Sequence, residues 1–146
     1  MSSIFSRQCD YALQAMLYLA LRPEGEMTSI RRLADRLKIP YHFLAKILQD
    51  LTRQGLLQSL KGPTGGFALA LPMREITLFR IVEAVDGTDF TKSCVMGFPE
   101  CSGESPCAVH DTWSGLRQGI STMLMERSIA EVAKSMDKKG YRSFGG

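Results

Sequence analysis

Apolar residues recur along most of this chain three and four apart, interrupted once by two short apolar runs around a glycine-rich turn. Phe5, Cys9, Leu13, Met16 or Leu17, and Ala20 fall on one face of a helix over residues 5–21. Tyr11, Ala12, Tyr18 and Leu19 make that helix apolar on further sides, as a buried element requires, and Arg22-Pro23-Glu24-Gly25 stops it. Thr28 or Ser29 can cap a second helix reaching about Leu37, with Ile30, Leu33, Ala34 and Leu37 inward. After the break Lys38-Ile39-Pro40, a third helix carries the stripe Phe43, Leu44, Ile47, Leu48 and Leu51. Gly55 ends it, where a left-handed residue is wanted. Leu56 to Leu60 and Phe67 to Leu71 read as short strands joined by Lys61-Gly62-Pro63-Thr64-Gly65-Gly66, a hairpin turn.

Thr77 can cap a fourth helix to about Val85, and Asp86-Gly87-Thr88-Asp89 breaks it. Ser105 as N-cap and Pro106 at the first helical position predict a long helix from Pro106 to about Arg127. Its positions Val109, Trp113, Leu116, Ile120 and Met123 step by four and three, an a/d seam that Leu124 widens. Gly115 and Gly119 weaken that helix, which suits close approach of another backbone. Ser128 with Glu131 forms a capping box for a last helix to about Ser135, and 137–146 reads as a flexible tail.

These elements predict a mainly α fold with a small β-hairpin. Two helices joined by a tight turn and followed by a hairpin form a winged helix-turn-helix, and the long C-terminal helix pairs with a second copy of the chain. The expected division is a winged-helix DNA-binding domain over 1–86, a metal-binding loop over 87–107, a dimerisation helix with a short terminal helix over 106–136, and the tail. The glycine-rich turn is not a nucleotide-phosphate loop, since no Lys-Ser/Thr follows its last glycine and no helix opens there.

Hydrophobic content of 45% and charged content of 23% are ordinary for a globular domain, and the net charge is only +3. The distribution says more. Residues 1–62 hold nine Lys/Arg against five Asp/Glu, whereas residues 63–146 hold nine against ten. The basic excess lies in the half expected to meet an anionic partner. The polar opening, and the lack of an apolar run long enough to span a membrane, predict a cytoplasmic protein without membrane association.

Ser93 to Trp113 concentrates the chemistry. Cys94, Cys101, Cys107 and His110 are spaced C-x6-C-x5-C-x2-H among Gly, Pro, Ser and Glu rather than among core residues. In a cytosolic chain that composition points to metal ligation over structural disulfides. On the expected helix, Cys107 and His110 share a face, and Cys107 sits in the first turn, where the helix dipole favours a thiolate.

In this order the residues resemble the Rrf2 family of bacterial transcription regulators over essentially the whole chain. The resemblance rests on Asp10-Tyr11-Ala12-Leu13, on Gly62-Pro63-Thr64-Gly65-Gly66-Phe67, and on three cysteines before a long helix. It implies a homodimer on a partly palindromic double-stranded operator, with the third helix in the major groove and the wing at the adjacent minor groove. It also implies that Cys94, Cys101 and Cys107 hold an iron–sulfur cluster whose state changes DNA affinity. His110 matches the fourth ligand of the cluster-assembly members. Asp10 of the partner subunit matches that of the nitric-oxide-sensing members. Both 2Fe–2S and 4Fe–4S clusters fit the pattern, the former preferred; the first cysteine spacing is one residue longer than in the cluster-assembly members. Pro40, Tyr41, His42, Phe43 and Lys46 would read bases. Arg7, Arg31, Arg53 and Lys61 would hold phosphates, beside the wing residues Gly62, Thr64, Gly65 and Gly66. Cys9 belongs to the core.

Two other readings suit the same cysteines: a structural Cys3His zinc site, and a metal-free thiol redox sensor. No catalytic triad, paired acid–base carboxylates or cofactor fingerprint points to an enzyme.

Overall fold

The computed structural model describes residues 4–139, with side chains through residue 136. Four helices and a hairpin come first: α1 (Arg7–Ala20), α2 (Ile30–Leu37), α3 (Tyr41–Arg53), β1 (Leu57–Leu60), β2 (Gly66–Leu69) and α4 (Leu78–Asp86). The 3₁₀ turns Met73–Glu75 and Asp89–Thr91 flank α4, and α5 (His110–Glu126) and α6 (Ile129–Lys139) complete the order.

Local chemistry explains most boundaries. Ser6, Ser29 and Thr77 each accept a backbone N–H two or three residues inside the helix they cap. Ser128 accepts from the Glu131 N–H at the start of α6 (3.2 Å), half of the expected capping box. Lys38 ends α2 in the left-handed region (φ 56°), and Gly55 takes that region (φ 81°) just beyond α3. The helix-turn-helix corner is thus held by a lysine where glycine would be unstrained.

β1 and β2 pair antiparallel, Leu57 opposite Leu69 and Leu60 opposite Gly66. Phe67 also exchanges both backbone hydrogen bonds with Thr28 (2.9 and 2.8 Å), fastening the wing to the entrance of α2. That contact explains Gly66: a Cβ there would lie 2.3 Å from the Thr28 carbonyl oxygen, at φ 148°.

Two cores share α1. The larger joins Ala12, Met16 and Leu19 to Leu33, Leu44, Leu48, Leu51 and Ile81, and α6 returns to it through Ile129 and Ala133. The smaller gathers Cys9, Val82, Phe90 and Leu124 on the other side of the same helix, with Ile120 packed against it. An antiparallel bridge, Thr77 with Ser128, draws the α5–α6 joint onto the start of α4.

Three expectations change. The long helix begins at His110 rather than Pro106, because residues 101–109 use their polar groups in turns. Ser105 makes reciprocal contacts with Ser102 instead of capping a helix (N–H to Oγ 3.2 Å, carbonyl from N–H 3.3 Å). The apolar seam divides: Leu124 is buried in the chain's own core, while Leu116 and Met123 are 59% and 48% exposed. The last helix passes Ser135 and continues to Lys139, and residues 140–146 lie outside the described residues.

Gly66→Ala is expected to destabilise the fold by roughly 2–3 kcal/mol, since neither backbone can retreat without breaking the Thr28–Phe67 bridge. Chemical denaturation of the two proteins measures it. A change within a few tenths of a kcal/mol would show that the bridge is dispensable.

Candidate functional site

Residues 92–109 contain no helix or strand, and the start of the loop is tied to α5 through Ser93. The Ser93 carbonyl accepts from Trp113 Nε1 (2.7 Å) and from Arg117 (2.6 Å), one and two turns into the helix. Arg117 also reaches Ser114 Oγ at 3.5 Å. This pair of hydrogen bonds to one carbonyl fixes where Cys94 begins.

From there the loop folds back on itself. The sulfurs of Cys94, Cys101 and Cys107 all lie within 4.8 Å of one another, and each residue is half-buried. Cys94 Sγ is 3.7 Å from Cys107 Sγ, far beyond a disulfide bond. Two thiolates on one tetrahedral ion at about 2.3 Å would sit about 3.8 Å apart, so this pair is already at chelating distance. The Cys107 N–H points at Cys101 Sγ (3.4 Å), and His110 Nδ1 lies 3.4 Å from the same sulfur. Cys107 precedes α5 by three residues, so a turn, with the His110 N–H on the Cys107 carbonyl (3.2 Å), brings the two together. The shared helix face and the first-turn dipole expected for Cys107 do not apply.

Backbone donors lie against two of the sulfurs, those of Cys94 and Cys101, with opposite net results. The Phe98 N–H, with that of Met96 and the thiols of Cys107 and Cys101, lowers the Cys94 thiol to about 7, against some desolvation. Cys101 is raised: the Cys107 N–H favours its thiolate, but desolvation and the neighbouring thiols outweigh it. The donor set is soft, clustered and ringed by N–H groups, which fits a thiolate-ligated metal or iron–sulfur centre. Cys9 is fully buried in the smaller core, where burial first, then the nearby carboxylates Asp86 and Asp10, push its thiol up to about 12. Asp10 lies on α1, half-buried, in the turn following the Ser6 cap.

The second candidate surface is a groove of about 680 Å³ between the wing and α2–α3. It brings together Arg31, Tyr41, Arg53, Lys61, Gly62, Gly65 and Gly66. Arg53 also pairs with Asp50 across one turn. Pro40, His42, Lys46 and Thr64 are exposed outside the groove, and Arg7 is exposed at the start of α1. Phe43 is 39% exposed, yet its ring meets Tyr11 edge-on at 5.7 Å, so it also fastens α3 to α1. Gly65 has a steric duty too, since a Cβ there would sit 1.9 Å from the Leu60 carbonyl oxygen. Sequence reasoning missed Ser59 as a groove residue, and Trp113 and Arg117 as the anchors of the cysteine loop. Trp113 was visible only as an apolar seam position, and nothing local marks the carbonyl it serves.

The comparisons with known proteins agree with this architecture. A family model described as Rrf2, iron-dependent transcriptional regulator, matches residues 5–135. A protein of Aquifex aeolicus bearing an HTH-type transcriptional regulator name is 34% identical over 137 residues, covering 92% of this chain and 94% of its own. The HTH-type transcriptional regulator IscR of Serratia proteamaculans is 30% identical over 127 residues, covering 87% and 77%. Among solved structures, CymR, the global cysteine regulator of B. subtilis, superposes with TM-score 0.75 at 22% identity, covering 92% of this chain and 98% of its own. T. potens IscR gives 0.74 at 21%, covering 93% and 90%. These likenesses establish a winged-helix regulator fold, as the sequence predicted.

In metal-free reduced protein, alkylation of Cys94 is expected to rise with pH through a midpoint near 7, as the thiolate forms. Cys9 should stay unreactive across neutral pH because it is buried and its thiol is raised to about 12. Mass-spectrometric mapping of iodoacetamide adducts against pH reads both; a Cys94 midpoint near that of a free thiol would contradict the assigned N–H donors.

Proposed function

The chain belongs to the Rrf2 family of transcriptional regulators, and from that premise we propose that it acts as a homodimer on double-stranded DNA under the control of an iron–sulfur cluster. The single observation that carries the sensing half is the convergence of three sulfurs within 4.8 Å on a loop with no regular structure. Cys94, Cys101 and Cys107 would hold the cluster. It would supply a redox- and iron-responsive centre whose presence orders the loop. His110, beside Cys101, is the preferred fourth ligand, and Asp10 of the partner subunit is the alternative. The 2Fe–2S form suits the compact sulfur set better than the 4Fe–4S form.

The DNA half rests on the groove that gathers Arg31, Arg53 and Lys61 beside the first residue of α3. Here α3 is the recognition helix, with Tyr41, His42 and Lys46 available to base edges and Pro40 setting its start. Phosphates lie along Arg7, Arg31, Arg53 and Lys61 and the exposed turn Gly62–Thr64. Pairing uses the exposed α5 face of Leu116, Gly119 and Met123, with open space around Gly115 and Gly119 for a second helix. Among the described residues no helix is long and apolar enough to cross a membrane. A regulator working on chromosomal DNA belongs in the cytoplasm. Nothing in the donor arrangement calls for an enzymatic role.

A zinc site is the second reading, favoured by the 3.7 Å pair and the adjacent imidazole, which suit one tetrahedral ion. Its chemistry would be structural and silent to redox change.

Duplexes selected from a random pool by anaerobic protein supply the operator for a test. Cys107→Ser is expected to change affinity for that duplex at least tenfold relative to the cluster-loaded protein; equal affinity, with the cluster lost, would refute control by the cluster. Lys61→Ala is expected to weaken binding to all duplexes alike and to lower the salt slope by about 1. A shift in preference at one base pair would instead make Lys61 a base reader.

A further inference from the structure

Another cavity, of about 510 Å³, shares no residue with the wing groove or the cysteine loop. It lies where the turn after α1 meets the end of β2, the 3₁₀ turn Met73–Glu75 and the start of α6. Leu69, Leu71, Met73 and Ala130 give it an apolar wall, and Arg22 and Arg74 also line it. Its volume falls in the span of roughly 300–1,000 Å³ usual for small-ligand sites.

Two arginines and two glutamates line it, so the charges cancel, but the hydrogen-bond donors are not all used. Arg22 donates from NH2 to Glu26 Oε1 at 2.8 Å, which already neutralises that carboxylate. Its Nε is buried without a hydrogen-bond partner among the described residues, a state an incoming acceptor would relieve. Arg74 makes no ion pair among the described residues, and it and the remaining acid at the rim, Glu24, are both exposed, which leaves the Arg22 Nε as the buried donor that an occupant would meet. An arginine fork with unused donors beside an apolar wall matches a carboxylate joined to a hydrocarbon tail.

We propose that this cavity binds a small carboxylate with an apolar tail, its head on Arg22 and Arg74 and its tail against Leu69, Leu71 and Met73. The site touches the wing directly. Leu69 ends β2 and accepts from Gln58 Nε2 (3.3 Å), and Ala70 donates to the Leu56 carbonyl (3.0 Å). An occupant therefore bears on the strand that carries the wing. Its effect on duplex affinity rests on the DNA-reading role proposed above, whereas its binding does not.

The test titrates the full-length protein with sodium decanoate by calorimetry, following methyl shifts of Leu69, Leu71 and Met73. Decylamine and decanol serve as controls for head-group chemistry. One saturable site is expected, weakened at least tenfold by Arg22→Ala and by Ala130→Leu, which fills the cavity, with decylamine at least tenfold weaker than decanoate. Circular-dichroism melts establish that the variants fold. Should Arg22→Ala fail to fold, the decylamine comparison and Ala130→Leu still decide. Unsaturable binding, equal binding of amine and carboxylate, or unchanged affinity in the folded variants would overturn the assignment, whatever the DNA experiments show.

Discussion

Everything in this molecule leans on α1 being buried from two sides. Ala12, Ala15, Met16 and Leu19 face the helix-turn-helix core, while Cys9 faces the smaller core made with Val82, Phe90 and Leu124. Leu13 packs against both. A small domain gains most of its stability from such continuous apolar contact, so neither core can shift without moving the wall it shares with the other. The start of this helix is also pinned from outside: Asp86, at the end of α4, accepts from the Ser6 N–H at 2.9 Å and from its hydroxyl. One residue beyond Asp86 the chain turns at Gly87 towards the cysteine loop. The cap of α1 is thus hydrogen-bonded to the end of the helix from which the chain leads into that loop.

The loop itself has little reason to be ordered alone. Val95, Met96 and Phe98 are more than half exposed, so the segment buries too little apolar surface to offset its chain entropy. Its fixed points are the Ser93 carbonyl held by Trp113 and Arg117, and the sulfurs that face one another. A ligand bridging those sulfurs would contribute ordering free energy that the loop's own contacts lack. Bound in that way, the loop would take its order from what the three sulfurs hold.

How much of this was legible in the sequence follows from the range of each interaction. Caps at Ser29 and Thr77 could be read because the hydroxyl and the N–H it satisfies are three residues apart. The hairpin could be read because Gly65 and Gly66 occupy sites where a side chain would collide with backbone. The cysteines stood out because their neighbours were turn formers. The start of α5 was misread for a related reason: Ser105-Pro106 is a good local signal, but contacts with Ser102, and the Cys107 N–H spent on Cys101, outweigh it. Long-range partners left no trace. The Ser93 anchors lie 20 and 24 residues away, and the Thr77–Ser128 bridge that returns α6 to the first core spans a larger gap. Leu124 is buried against Cys9, Val82 and Phe90 of its own chain, distant partners that the seam pattern could not disclose.

The central claim is that three sulfurs, gathered by a loop hung from α5, grip an inorganic iron–sulfur centre. Elemental and acid-labile sulfide analysis of protein purified without oxygen, with its Mössbauer spectrum after growth on enriched iron, addresses it most directly. Iron and sulfide are expected in comparable amounts, with a spectrum of tetrahedral, thiolate-ligated iron that disappears in Cys94→Ser. Stoichiometric zinc with no sulfide, or protein that carries neither metal and cannot be loaded, would contradict it.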